Sequence, residues 1–140
     1  MSISVKDRDA LIDAAWQAKE NAYAPYSHFK VGAAVLGVDG NIYKGCNIEN
    51  VSYGLTNCAE RTAIFKMVSE GCQKFVAIAI VATDDPGPSG PCGACRQVIC
   101  EFCQDVNTTE IFSAGKNGKV ITETVLDLCP RPFMNFKSNE

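Results

Sequence analysis

Histidine is almost missing from this sequence: His28 is the only one among 140 residues. A site assembled from several imidazoles is therefore excluded. His28 itself reads as a hydrogen-bonding residue of its turn, with a ligand or base role left open. A surplus of positive charge is missing too, with 13 Lys and Arg against 16 Asp and Glu, for a net charge of −3. That balance argues against a grip on a long phosphate backbone, which calls for a basic patch, but is neutral toward a small uncharged ligand. Long apolar stretches are lacking. The longest run, Phe75 to Ala82, falls far short of the roughly 20 residues needed to cross a bilayer. The first residues, Met1 to Asp9, are charged and have no apolar core of a secretory signal. No internal repeat, low-complexity segment or linker interrupts the chain. These absences predict a cytosolic chain with no membrane partner and no nucleic-acid partner, although one this small could also reach the nucleus. They also predict a single domain over residues 1–140 with a polar tail from about 134 to 140. What is abundant is cysteine, with eight residues. In a secreted chain they would suggest disulfides, whereas a reducing compartment favours free thiols and metal ligation.

The apolar pattern predicts a helix from about Lys6 to Asn21, with Leu11, Ala14, Ala15, Ala18 and Ala22 at helical spacing. Pro25 breaks it. Phe29–Val38 and Asn41–Ile48 read as two strands around the Asp39-Gly40 turn. A second helix is expected from near Cys58 to Glu70, with Gly71 at its end. Phe75–Ala82 suits a central strand covered on both faces. A Pro- and Gly-rich loop follows over Asp84–Gly90, then a helix from Cys92 to Phe102. Glu110–Ala114 and Lys119–Ile121 read as strands around Asn117-Gly118, and Glu123–Leu128 as a short helix. This order predicts an α/β fold, a three-layer α-β-α domain with a five-stranded mixed sheet.

Two segments carry chemistry: Asn57-Cys58-Ala59-Glu60-Arg61 and Pro91-Cys92-Gly93-Ala94-Cys95-Arg96-Gln97. Each opens a predicted helix. Cys92 and Cys95 can converge on one ion from a helix start, where free N–H groups and the helix dipole favour thiolates. Cys58 adds a third sulfur. Three protein ligands on zinc leave a fourth position open, which distinguishes a catalytic from a structural site. Glu60, two residues after Cys58, can reach that position without ligating and move protons there. Other readings of these residues exist. A Cys-x-x-Cys pair also occurs in redox sites, and Cys92, Cys95, Cys100 and Cys103 could form a four-cysteine structural site. The apolar neighbours Val98, Ile99 and Phe102 instead place Cys100 and Cys103 mid-helix as small core residues. Cys46, Cys72 and Cys129 stand alone and default to packing.

At these positions the sequence resembles the cytidine deaminase family, in its short, homotetrameric, three-cysteine zinc form. The resemblance rests on Ala24–Ala33, Gly45–Tyr53, Cys58–Ala63 and Pro91–Gln97, four motifs spanning most of the chain in the family's order. It implies a zinc-dependent hydrolase of cytidine and deoxycytidine, giving uridine and deoxyuridine with release of ammonia in pyrimidine salvage. A zinc-activated water attacks C4 in such enzymes. By the same resemblance Cys58, Cys92 and Cys95 bind one zinc per chain and Glu60 shuttles protons. Asn47 and Glu49 hold the ribose 3′-hydroxyl, Phe29 lies against the pyrimidine, and the Ala59 N–H meets the C2 carbonyl. Val51, Tyr53 and Phe133 reach in from neighbouring subunits of a tetramer with shared active sites. Arg61 is placed to donate to the ligand sulfurs and draw off negative charge. The C-terminal Leu128-Cys-Pro-Arg-Pro-Phe133 departs from the family's Leu-Leu-Pro-x-x-Phe. Two rivals remain: a deaminase of the same core acting on a nucleotide, a nucleoside antibiotic or a polynucleotide base, and a non-catalytic zinc module. The polynucleotide enzymes usually carry His-x-Glu rather than Cys-Ala-Glu.

Overall fold

A computed structural model describes residues 3–82, 88 and 90–134. Most of the predicted loop at 84–90 and nearly all of the predicted polar tail at 134–140 therefore lie outside the described residues. Helix α1 spans Val5–Lys19 and begins at Ser4, whose hydroxyl accepts from the Asp7 N–H at 3.0 Å. It ends two residues earlier than predicted. Past Lys19 the N–H groups of Glu20, Asn21 and Ala22 turn to carbonyls three residues back, so Ala22 lies outside the helix.

Strands β1 (Val31–Gly37) and β2 (Ile42–Cys46) form an antiparallel hairpin. Gly40 sits in its turn at φ 87°, a conformation open to a residue without Cβ. Both strands are shorter than predicted, and at the open end of the hairpin Asn47 is the cause. The Phe29 carbonyl and the Val31 N–H are bonded to the side chain of Asn47, at 2.8 and 2.9 Å, rather than to a strand neighbour. A 3₁₀ turn at Tyr53–Leu55, not anticipated from the sequence, leads to helix α2, Ala59–Ser69. Strand β3 occupies the predicted Phe75–Ala82 and helix α3 runs Gly93–Phe102. Strands β4 (Glu110–Ala114) and β5 (Val120–Thr124) follow, then helix α4, Val125–Leu128. The last strand is longer and the last helix shorter than predicted. Thr124 and Asp127 form a reciprocal capping box that starts the helix at Val125 and leaves Glu123 and Thr124 in the strand.

The five strands form one mixed sheet in the order β2-β1-β3-β4-β5, with only β3 and β4 parallel. Alternation along the central strands sorts the core into two layers. Ala34, Ala77, Ala79, Val81 and Phe112 pack on Leu11, Ile12 and Ala15 of α1. Ala33, Val35, Ile78 and Ile80 pack on Ala63, Ile64 and Met67 of α2 and Ile99 of α3. The fold is thus the predicted three-layer α/β arrangement. Cys100 and Cys103 lie buried in the second of these layers, Cys103 at the C-cap of α3 rather than in its middle.

One close approach fixes α2. A Cβ on Gly45 would meet the Ala63 nitrogen at 2.3 Å and the Ala59 carbonyl oxygen at 2.8 Å. The glycine lets the first turn of α2 lie directly on β2 and sets where residues 58–61 project.

Candidate active site

Cys58 and Cys92 occupy the N-cap positions of α2 and α3, and neither side chain makes a capping hydrogen bond. The Ser, Thr, Asp or Asn usual at that position would turn its oxygen back onto the helix N–H groups. Sulfur is left free to point elsewhere. Cys95 lies one turn into α3, fully buried. The three sulfurs come within 4.8 Å of one another, with Cys58 and Cys92 at 3.9 Å. Sulfurs held at about 2.3 Å around tetrahedral zinc stand roughly 3.8 Å apart, so the donor set fits that ion in both chemistry and spacing. Cys100 and Cys103 take no part in the cluster. Burial, followed by the neighbouring Cys129 thiol, pushes Cys100 up to about 12, which marks it as an inert core thiol.

Charge in the cluster is distributed unevenly. Hydrogen bonding from Cys95, assisted by Arg61, draws Cys58 down to about 5, while the same bond and burial hold the proton on Cys95. Of these two thiols, Cys58 is the more readily ionised. An Arg61 Nη donates to its sulfur at 3.2 Å, as the sequence predicts, and this contact raises the arginine's own pKa. The Arg61 Nε is buried without a hydrogen-bond partner, so the guanidinium holds unused donor capacity beside the sulfurs. Glu60 is 5% exposed. Burial pushes its carboxyl up to about 7, with the Cys58 charge adding to the rise.

Cys58, Cys92 and Glu60 face a cavity of about 290 Å³, near the small end of the range for small-molecule sites. Its wall brings together Cys58, Ala59, Glu60 and Cys92 with Phe29, Asn47 and Glu49. Ala59 is the first residue of α2, where backbone N–H groups have no intrahelical acceptor. Asn47 and Glu49 do more than line the wall. Asn47 holds both ends of the Phe29–Val31 segment. Glu49 accepts from the Tyr26 and Ser27 N–H groups at 3.0 and 3.1 Å, and from the Ser27 hydroxyl. Val51, Tyr53 and Phe133 are absent from this lining and are 78%, 72% and 66% exposed. Tyr53 borders a second hollow with Tyr26, Ser27, Glu49 and Thr56.

Two further residues around the site are not singled out by the sequence. Ser27, which borders both hollows, reads only as a turn residue after Pro25 and Tyr26. Arg96 ties the cysteine turn to the C-terminal segment, donating from Nε to the Pro91 carbonyl and from Nη1 to that of Leu128, each at 2.9 Å. Its place one residue after Cys95 is the sole hint.

Known proteins share this arrangement. The family model described as "Cytidine and deoxycytidylate deaminase zinc-binding region" matches residues 5–119. A cytidine deaminase of Sporosarcina psychrophila is 52% identical over 127 residues, covering 91% of each chain. One from Halalkalibacterium halodurans is 54% identical over 127 residues, covering 91% of this chain and 94% of its own. The crystal structure of cytidine deaminase from Burkholderia pseudomallei superposes with a TM-score of 0.84 at 49% identity, over 89% of this chain and 98% of that one. Zinc, one ion per chain, is the cofactor that this family and the three-cysteine cluster define. A three-layer sheet fold, a trio of cysteines at two helix starts and a matching family model over most of the sequence agree, and the chain belongs to the cytidine and deoxycytidylate deaminase family.

Proposed function

We propose that this protein hydrolyses the 4-amino group of cytidine and deoxycytidine, a hydrolase acting on the carbon–nitrogen bond of a cyclic amidine in pyrimidine salvage. The observation that carries the reading is a buried carboxyl near neutrality, Glu60, sharing a cavity wall with the Cys58 and Cys92 sulfurs. Cys58, Cys92 and Cys95 would hold the zinc, which when bound would supply Lewis-acid activation of a water. Glu60 takes up one proton of the water and delivers it to ring N3, then takes the second from the new hydroxyl at C4 and passes it to the departing amine, so that ammonia leaves as the C4 carbonyl forms. A carboxyl poised near 7 gives and takes protons with similar ease at neutral pH. The Ala59 N–H donates to the C2 carbonyl, the Phe29 ring covers the base, and Asn47 with Glu49 receives the ribose. The acidic balance of the chain disfavours a polynucleotide substrate.

We further propose one domain over residues 1–140 and a homotetramer whose neighbouring copies contribute Val51, Tyr53 and Phe133 to each site; their exposure supports covered positions. A cytoplasmic location suits the bacterial relatives, and no helix among the described residues is long and apolar enough to cross a membrane. Nothing in these observations favours a nuclear location. The direct test supplies cytidine to zinc-loaded protein and follows both ultraviolet absorbance and ammonia. Equimolar uridine and ammonia are expected; cytidine recovered intact would sink the reading.

A further inference from the structure

Glu49 has one acceptor direction left, and a second residue determines where it points. A carboxylate offers about four lone-pair sites. On Glu49 the N–H groups of Tyr26 and Ser27 fill both sites of Oε1, and the Ser27 hydroxyl takes one on Oε2. The remaining site lies on the oxygen that Ser27 already holds. That hydroxyl has a single proton, committed to Glu49, and its own lone pair accepts from the Phe29 N–H at 3.0 Å. One side chain thus ties the carboxylate to the backbone of the ring-bearing residue. Between them His28 adopts φ 58°, a conformation that a non-glycine residue keeps only where its neighbours hold it. Its N–H donates to the Ala24 carbonyl at 3.0 Å, closing the turn. Ser27 and Glu49 border both hollows of the site, so the clamp stands where a sugar edge would lie.

We infer that Ser27 is a positioning residue for sugar recognition: its hydroxyl aims the one open acceptor of Glu49 at a ribose hydroxyl and holds Phe29 at the same time. The inference rests on the proposed assignment of Glu49 to the ribose. The lowered pKa of Glu49, caused first by the Ser27 hydrogen bond, agrees with a carboxylate kept ionised for this purpose.

The experiment compares KM and kcat of zinc-loaded protein for cytidine and for 2′,3′-dideoxycytidine, which lacks both the 2′- and the 3′-hydroxyl. Ser27→Ala is expected to raise KM for cytidine roughly tenfold, the scale of one charge-assisted hydrogen bond, with kcat within about twofold. KM for the dideoxynucleoside should rise clearly less, since it has no such bond to lose and feels only the loosened Phe29 backbone. Ser27→Thr should keep the preference and its isostere Ser27→Val should lose it, which decides the matter on a shared shape even if Ser27→Ala folds poorly. Equal rises for both nucleosides would reduce Ser27 to a turn former and overturn the inference, as would no change for either. Glu49→Gln distinguishes the underlying reading: a variant that still prefers cytidine over its dideoxy analogue removes Glu49 from the ribose, whatever Ser27 does.

Discussion

At the scale of single residues, the proposed chemistry divides between one group that moves protons and one that tempers charge. Glu60→Gln preserves shape but cannot carry a proton. It is expected to keep one zinc per chain and to lose about 10²–10⁴-fold in kcat, the usual contribution of general acid–base catalysis. Metal analysis beside steady-state rates checks both halves, and turnover within a few-fold of wild type would remove Glu60 from the mechanism. Arg61 acts through sulfur. Withdrawing its donation to Cys58 in Arg61→Gln should weaken zinc retention about 10–100-fold, the usual cost of losing a partner of a metal ligand. Arg61→Lys should recover only part, because an ammonium lacks the planar fork. Competition with a chelator reads the effect, and unchanged retention would mean that the charge is offset elsewhere. The cysteines and Glu60 were legible in the sequence because their geometry is local: two- and three-residue spacings at a helix start dictate where the side chains converge. Ser27 was not, since its role depends on Glu49, 22 residues along the chain. Asn47 and Glu49 were singled out only through the family motif, and that motif did not disclose that they brace the segment from Tyr26 to Val31.

Among the elements, the contact of β2 with α2 exerts the tightest control on the site. Gly45→Ala places a methyl group where the backbone of Ala59 and Ala63 now sits. Destabilisation of about 1–3 kcal/mol is expected, as for other overpacked interiors. The strain falls on the turn bearing Cys58, so zinc occupancy should fall with Tm; a variant with both at wild-type values would show that α2 can shift freely. The β1–β2 hairpin offers a pH test. Tyr43 donates to Asp39 at 2.5 Å, and this bond is the leading cause of the lowered Asp39 pKa. A carboxylate whose folded pKa is depressed stabilises the fold above its unfolded value and loses that contribution as pH falls through the folded one. The Tm gap between wild type and Tyr43→Phe should therefore be widest near neutrality and narrow as pH drops below 3.8. A gap independent of pH would contradict the assignment. β3 and β4 were legible to the residue because an unbroken apolar run or a short β-rich segment between turns admits little else. The ends of β1, β2 and α4 were not, because side chains of Asn47, Thr124 and Asp127 replaced backbone partners there.

For the whole molecule, the exposed trio Val51, Tyr53 and Phe133 predicts association. Light scattering should give four copies. Tyr53→Asp should yield smaller species that keep zinc yet turn over cytidine poorly, and a fully active monomer would take all three residues out of the substrate list. The two bare N-caps carry a consequence of another kind. With cysteine where an oxygen side chain would ordinarily close the helix, α2 and α3 begin with no side-chain cap of their own. The ion that gathers Cys58, Cys92 and Cys95 therefore fastens two helix starts that lie 34 residues apart in sequence, and its binding energy is partly folding energy. Stripping it should let both first turns fray. Amide hydrogens of residues 62 and 96, which close the first bonds to the Cys58 and Cys92 carbonyls, should then exchange faster while those of β3 stay protected. Metal shortage would thus be read out as local melting at the mouth of the cavity, well before the sheet gives way.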